Sequence, residues 1–171
     1  MKRSHGRRSV DTLRDVAPHL SLEDEVAWLE AAELAETEGL LVLPGARDAL
    51  DGVADNRRAV VTSGGRELAL MRLRHTGLPV PGVLVAAEDV RVGKPSPEGY
   101  LLAAARLGIE PSRCLVIEDT PAGIKAGRAA GARVLAVATT FPPDALADAD
   151  MVVASLTAVR IRQFRDDIEL L

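Results

Sequence analysis

Two hydrophobic regimes divide the chain. In the first, apolar residues recur at helical spacing. Residues 9–16 form a short helical stretch that Pro18 breaks, and Pro18 also disfavours helical geometry at Ala17. Ser21 has the character of an N-cap, with Asp24 three residues on. Leu22, Val26, Leu29 and Ala32 then lay one stripe along a helix predicted to reach about Glu38, where Gly39 ends it. Pro44-Gly45 opens another short helix through Val53. Roughly the first 43 residues therefore read as helical, without a strand signal.

From residue 58 short apolar runs alternate with helical stretches. Ala59-Val60-Val61, Val83-Leu84-Val85, Leu115-Val116-Ile117, Val134 to Val137 and Met151-Val152-Val153 read as strands. Between them lie helices predicted over Arg66 to His75, Pro97 to Leu107 with Ser96 as cap, and Pro121 to Ala130 with Thr120 as cap. The tail, Ala158 to Leu170, is predicted as a final amphipathic helix. Short buried strands alternating with helices define an α/β, Rossmann-like architecture: a parallel sheet with helices on both faces. Ligands of such sheets sit beyond the carboxyl ends of the strands, so the residues that follow each strand are the candidates for chemistry.

After the first strand comes Thr62-Ser63-Gly64-Gly65. Hydroxyls and small residues at a helix start make an anion site, because outward N–H groups and the helix dipole favour negative charge. A plain strand-turn-helix connection would use the same residues. After the second strand, Gly93-Lys94-Pro95 places a lysine in a shaped loop, where an ammonium can neutralise a phosphate oxygen or simply meet solvent. After the third, Glu118-Asp119 sets two carboxylates side by side. A hard cation such as Mg²⁺ relieves their repulsion; alternatively Asp119 and Thr120 serve only to cap the next helix. Taken together, a hydroxyl, a lysine and an acidic pair on one sheet edge are the parts phosphoryl transfer needs.

Composition narrows the partners. The 171 residues include 21 basic and 25 acidic ones, a net charge of −4, which argues against a nucleic-acid partner even though Lys2, Arg3, Arg7 and Arg8 cluster near the start. All but three of the basic residues are arginines, which makes Lys94 in its Gly/Pro loop conspicuous. No apolar run reaches the roughly 18 residues that span a bilayer, and the basic start is not followed by the apolar stretch of a secretory signal. Cys114 is the single cysteine, so no internal disulfide can form and a reducing cytoplasm fits. Aromatics make up only 2%, leaving Ala, Val and Leu to build the core.

Val-Val-Thr-Ser-Gly-Gly (60–65), Gly-Lys-Pro-Ser-Pro-Glu-Gly-Tyr-Leu (93–101) and Val-Ile-Glu-Asp-Thr-Pro-Ala-Gly-Ile-Lys-Ala-Gly (116–127) resemble the second, third and fourth motifs of the haloacid dehalogenase superfamily. Ser-His-Gly-Arg-Arg (4–8), Val-Ala-Pro-His-Leu (16–20), Ala-Glu-Asp-Val (87–90) and Ala-Thr-Thr-Phe (138–141) are similar to its branch of sugar and polyol phosphatases. The resemblance implies a Mg²⁺-dependent phosphatase of a small phosphorylated metabolite. Thr62, with the amides of Ser63 and Gly64, would bind the phosphoryl group. Lys94 would bind the phosphate and a nucleophilic carboxylate, and Glu118 and Asp119 would hold Mg²⁺. His5, Gly6, Arg7 and Arg8 would belong to a helical cap that selects the substrate, with Arg7 or Arg8 either meeting a substrate hydroxyl or remaining a surface charge. Residues 1–43 would be the last part of that cap and 44–171 the Rossmann-like core.

One motif of the family has no match. Its members begin with a strand ending in Asp-x-Asp-Gly-Thr, whose first aspartate attacks phosphorus and whose second moves the proton. Asp11-Thr12 lacks the second aspartate and a preceding strand; Asp148-Ala149-Asp150 precedes a strand rather than following one. That strand would lie between those ending at Thr62 and Glu118, whose edges should then be unpaired. The expectation is an N-terminally truncated chain, inactive alone and open to self-association through the free sheet edge. Two alternatives stand beside the phosphatase: a remnant that only binds phosphate or Mg²⁺, and a phosphosugar mutase resembling β-phosphoglucomutase.

Overall fold

The computed structural model describes residues 5–164 and 167–170. Lys2, Arg3 and Ser4, named above, lie outside the described residues. The chain opens with α1 (Ser9–Val16) and α2 (Leu22–Ala35), which pack on each other, and a short α3 (Ala46–Asp51). The hydroxyl of Ser21 accepts the N–H of Asp24 at 3.5 Å and so caps α2. That helix stops at Ala35, three residues short of the predicted end.

An α/β unit follows, with β1 (Ala59–Val61), α4 (Arg66–His75), β2 (Val83–Val85), α5 (Glu98–Leu107), β3 (Leu115–Glu118), α6 (Pro121–Ala129), β4 (Arg133–Val137) and β5 (Met151–Val153). Every pairing among these strands is parallel. The central strands carry continuous apolar runs because both faces are covered: Leu84, Val85 and Ala86, and Val134 through Val137, are buried. Val116, Ile124, Val134, Ala136 and Leu146 form the core cluster where α6 crosses β3 and β4.

The five strands form two separate sheets. β1 pairs with β2, while β3, β4 and β5 form a second ribbon. Among the described residues no strand bridges β1 to β3. A cavity of about 360 Å³ lies there, lined by β1, β3 and the Tyr100–Leu107 face of α5. Ile117, in what would otherwise be a covered strand, is 40% exposed. The split matches the unpaired edges expected from the sequence.

The predicted final helix is not formed. Instead β6 (Ile161–Phe164) and β7 (Asp167–Leu170) pair antiparallel. The run Ile161-Arg162-Gln163 alternates buried, exposed and half-buried positions, which is a strand's period of two. Its backbone is also claimed at the start: Gln163 N–H donates to Gly52 O at 2.9 Å, and the Gln163 side-chain oxygen accepts Ala54 N–H at 3.1 Å. A helix over these residues would forfeit both bonds.

Candidate active site

The carboxyl ends of β1 and β3 and the loop after β2 open into one cavity of about 870 Å³, closed on its other side by α1 and α2. Thr62, Ser63, Gly64, Lys94, Glu118 and Asp119 line it together with His5, Gly6 and Arg7. Residues 5–7, 62–64, 94 and 118–119, distant in sequence, therefore meet where a parallel sheet places its ligand.

Thr62 leaves β1 and closes a tight turn, its hydroxyl accepting Gly64 N–H at 3.0 Å. Ser63 Oγ donates to Gly6 O at 2.8 Å and ties the N-terminal segment to this turn. The anion site expected at the start of α4 is already filled from within. Glu88 accepts Arg66 N–H at 2.9 Å, placing a carboxylate on the positive end of the helix. What faces the cavity is the Thr62–Gly64 turn rather than the α4 terminus.

Lys94 reaches inward from its loop. Its Nζ donates to Glu118 Oε1 and to Val61 O at 3.3 Å, and it lies 5.1 Å from the centroid of the Tyr100 ring. Tyr100 OH donates to the same Glu118 oxygen at 2.5 Å. The other oxygen of Glu118 accepts Asp119 N–H (3.1 Å), Thr120 N–H (3.3 Å) and Thr120 Oγ1 (3.0 Å). Burial alone would raise the Glu118 carboxyl. The charge and hydrogen bonds of Lys94, Tyr100 and Thr120 outweigh it and hold the carboxyl below its usual 4.5. Burial, reinforced by the charge of Glu118, pushes the Tyr100 phenol well above 10, so it remains a donor. Room for this carboxylate comes from Gly123: a Cβ there would overlap it.

The two acidic neighbours therefore differ. Glu118, with Val116, is on the buried face of β3 and is saturated with five donors. Asp119, one residue beyond the strand, faces the cavity; its Oδ2 accepts Thr140 Oγ1 at 2.6 Å and stands 3.6 Å from His5 Nε2. Thr120 caps α6 as expected, accepting Gly123 N–H at 3.0 Å. Gly6 has φ +81° and rests on Thr120, where a Cβ would come within 2.6 Å of Oγ1. Only glycine suits both the left-handed backbone and the contact.

The adjacent arginines part company. Arg7 lines the cavity and pairs with Asp15 at 2.7 Å. Arg8 does not line it. Its guanidinium binds Asp11 through Nε at 2.7 Å and Nη2 at 3.0 Å, and Val90 O through Nη1 at 3.1 Å. Arg8's hydrogen bond keeps Asp11 below 3.8. Asp150, in the Asp-x-Asp stretch, accepts Val134 N–H at 2.7 Å as part of the sheet. The acidic residues lining the large cavity are Glu33, Glu118 and Asp119. Glu33 pairs with Arg72 at 3.4 Å and Glu118 with Lys94, whereas the contacts of Asp119 to Thr140 and His5 are both made by Oδ2.

Tyr100, Thr140, Gly123 and Gly6's packing on Thr120 were not assigned these parts from sequence. Tyr100, the third residue of α5, and Thr140 both lie in stretches that carry the resemblance, 93–101 and 138–141, but nothing local in the sequence points either side chain at Glu118 or Asp119.

The chain belongs to the haloacid dehalogenase-like hydrolases, whose family model matches residues 3–131. Hexitol phosphatase A of Escherichia coli is 41% identical over 162 residues, covering 92% of this chain and 75% of that protein. Glycerol-1-phosphate phosphohydrolase 2 of Saccharomyces cerevisiae is 35% identical over 184 residues, covering 98% and 74%. Among solved structures, a β-phosphoglucomutase from Clostridium difficile superposes with a TM-score of 0.77 at 22% identity, covering 92% of this chain and 75% of that one. CbbY from Rhodobacter sphaeroides in complex with phosphate gives 0.78 at 24% identity, covering 88% and 74%. At these identities the structures share the fold. Among the described residues no helix is long and apolar enough to cross a membrane.

Proposed function

We propose that this chain carries the substrate site of a Mg²⁺-dependent phosphohydrolase acting on small polyol or sugar phosphates. The observation that carries the reading is the convergence of Thr62, Lys94 and Asp119 on one cavity roofed by the N-terminal helices. The phosphoryl group would lie between the Thr62–Gly64 turn and Lys94. The rest of the substrate would extend toward His5 and Arg7, with residues 5–43 acting as its cap.

Asp119 fits a Mg²⁺ ligand. Magnesium keeps several waters and takes one or two carboxylates plus phosphate oxygens, so a single open carboxylate beside the phosphate position suffices. Glu118 does not fit as a direct ligand, since its oxygens already accept five donors; it holds Lys94 instead. When bound, the ion would offset phosphate charge.

By the family resemblance the attacking carboxylate would stand at the carboxyl end of a strand between those ending at Thr62 and Glu118, and the opening between β1 and β3 is where an extended apolar segment would bring it. None of the acidic residues lining the cavity occupies that place. This same observation favours the second reading, in which residues 1–171 bind phosphate esters without turning them over.

The test is phosphate release and ligand binding by the purified 171-residue chain with Mg²⁺, using hexitol, glycerol and 2-deoxyglucose phosphates, with Asp119→Asn as control. Binding without release is the expected result. Release that depends on Asp119 would overturn the account of the nucleophile, and absence of binding would overturn the phosphate site itself.

A further inference from the structure

We infer that Arg8 and Asp11 form a latch that fastens the N-terminal helices to the loop carrying Lys94, so that seating of the roof and placement of the lysine are one event. The inference rests on the reading of Lys94 as a phosphate ligand. Arg8 is the N-cap residue of α1, and its carbonyl accepts the N–H groups of Asp11 and Thr12, each at 3.1 Å. This fixes the first turn, so that the side chains at positions 8 and 11 meet on one face. Asp11 then takes two guanidinium nitrogens in a forked pair, a geometry that orients as well as attracts. The third nitrogen is left pointing across to the core, where it donates to Val90 O. The side chains are well covered, 13% exposed for Arg8 and 19% for Asp11.

The contact continues into the backbone next to Lys94. Arg8 lies over Gly93: a Cβ there would come within 2.8 Å of Nε, 2.9 Å of Cγ and 3.0 Å of Cδ. On the same loop, Glu98 accepts Arg91 N–H at 2.8 Å and Val92 N–H at 3.0 Å. Residues 90–93 are thus gripped by Arg8 from the helical roof and by Glu98 from α5, and Lys94 leaves this clamped segment in a set direction. Arg7, one residue earlier, is tied to Asp15 within the roof and makes no such crossing. Arg8 is therefore a positioning residue, acting on phosphate through the loop.

The latch can be released from either side. Arg8→Lys keeps the charge and loses the fork; Gly93→Ala pushes the guanidinium off its seat. In the 171-residue chain with inorganic phosphate as the probe, each change should speed amide exchange at Arg91 and Val92 by about tenfold and weaken phosphate binding by about tenfold, the scale of one charge-assisted hydrogen bond. Exchange in β4 should not change. Because both act on one contact, the double variant should be no worse than either single one. Asp15→Ala, which removes the ion-pair partner of Arg7 on α1, should leave the Arg91 and Val92 amides as they were. Exchange within twofold of the parent in both single variants, or fully additive effects in the double, would overturn the latch. If the parent chain binds no inorganic phosphate, the phosphate site falls, while the exchange measurements still decide whether Arg8 clamps the loop.

Discussion

Replacing Glu118 by Gln removes one charge and almost no volume, and it should destabilise the chain severely. Oε1 accepts Lys94 Nζ and Tyr100 OH, and Oε2 accepts two backbone N–H groups and Thr120 Oγ1. A glutamine amide must aim its NH₂ at one of these sets. Toward the backbone it opposes two fixed donors; toward Lys94 it opposes an ammonium that cannot accept. Either way Lys94, with a side chain only 12% exposed, would face a neutral amide where it now meets a carboxylate. Breaking one half of a buried pair costs about 3–5 kcal/mol. Against a total of roughly 5–15 kcal/mol, much of the margin would vanish. With a urea slope near 2 kcal/mol/M, the unfolding midpoint followed by circular dichroism should fall by about 1.5–2.5 M. Adding Lys94→Met should restore about 1 kcal/mol or more, since the stranded charge is gone. A Glu118→Gln midpoint within about 0.25 M of the parent, at that slope, would refute the claim that this carboxylate is the keystone of the site.

Other outcomes follow from the same contacts. Glu118, Asp11 and Asp89 all sit below their ordinary carboxyl values in the fold, so the native state binds fewer protons. Stability should be fully present above about pH 4.5 and drain away as pH falls through the lowered native values, in an acid titration that Glu118→Gln makes shallower. Asp119→Asn, at a cavity-facing position, should leave the unfolding free energy within about 0.5 kcal/mol while abolishing any gain in phosphate affinity from Mg²⁺, measured by calorimetry. Gly6→Ala should cost about 1–3 kcal/mol through its left-handed backbone and the Thr120 contact and should expose α1 to protease. Burial raises the Cys114 thiol above 9, so maleimide labelling near pH 7 should be far slower than for free cysteine; labelling at the free-thiol rate would contradict the packing around it.

Much of the site was legible because strand ends announce themselves. Thr62-Ser63-Gly64, Gly93-Lys94-Pro95 and Asp119-Thr120-Pro121 each join an apolar run to residues chosen for turns and caps, and the parallel order then brings them together. The sequence treated Glu118 and Asp119 as equals, yet the strand's period already separates them: Glu118 shares its face with Val116, while Asp119 stands past the last rung. Tyr100 and Thr140 reach this pair from 18 and 21 residues away, distances at which no local pattern operates. Glu88 capping α4 was hidden for the same reason, and so was the crossing of Arg8 to Val90. The tail misled because four residues of apolar and polar mixture suit either period, and the bond that decides the matter comes from Gly52, over a hundred positions earlier.

The break between the two sheets bears on how the molecule comes apart. Among the described residues no hydrogen-bond ladder runs from β1 to β3, and the unit of β1, β2 and α4 meets β3, β4, β5 and α6 through α5, which packs on β1, β2 and α6. Besides α5, the link is made by side chains, chiefly Lys94 between Val61 O and Glu118. Native-state amide exchange should therefore resolve two populations with separate opening energies, the β1–β2 amides exchanging first and those of β4, paired on both sides, last. A ligand spanning Thr62 and Asp119 touches both units at once, and its binding should merge the two openings into one.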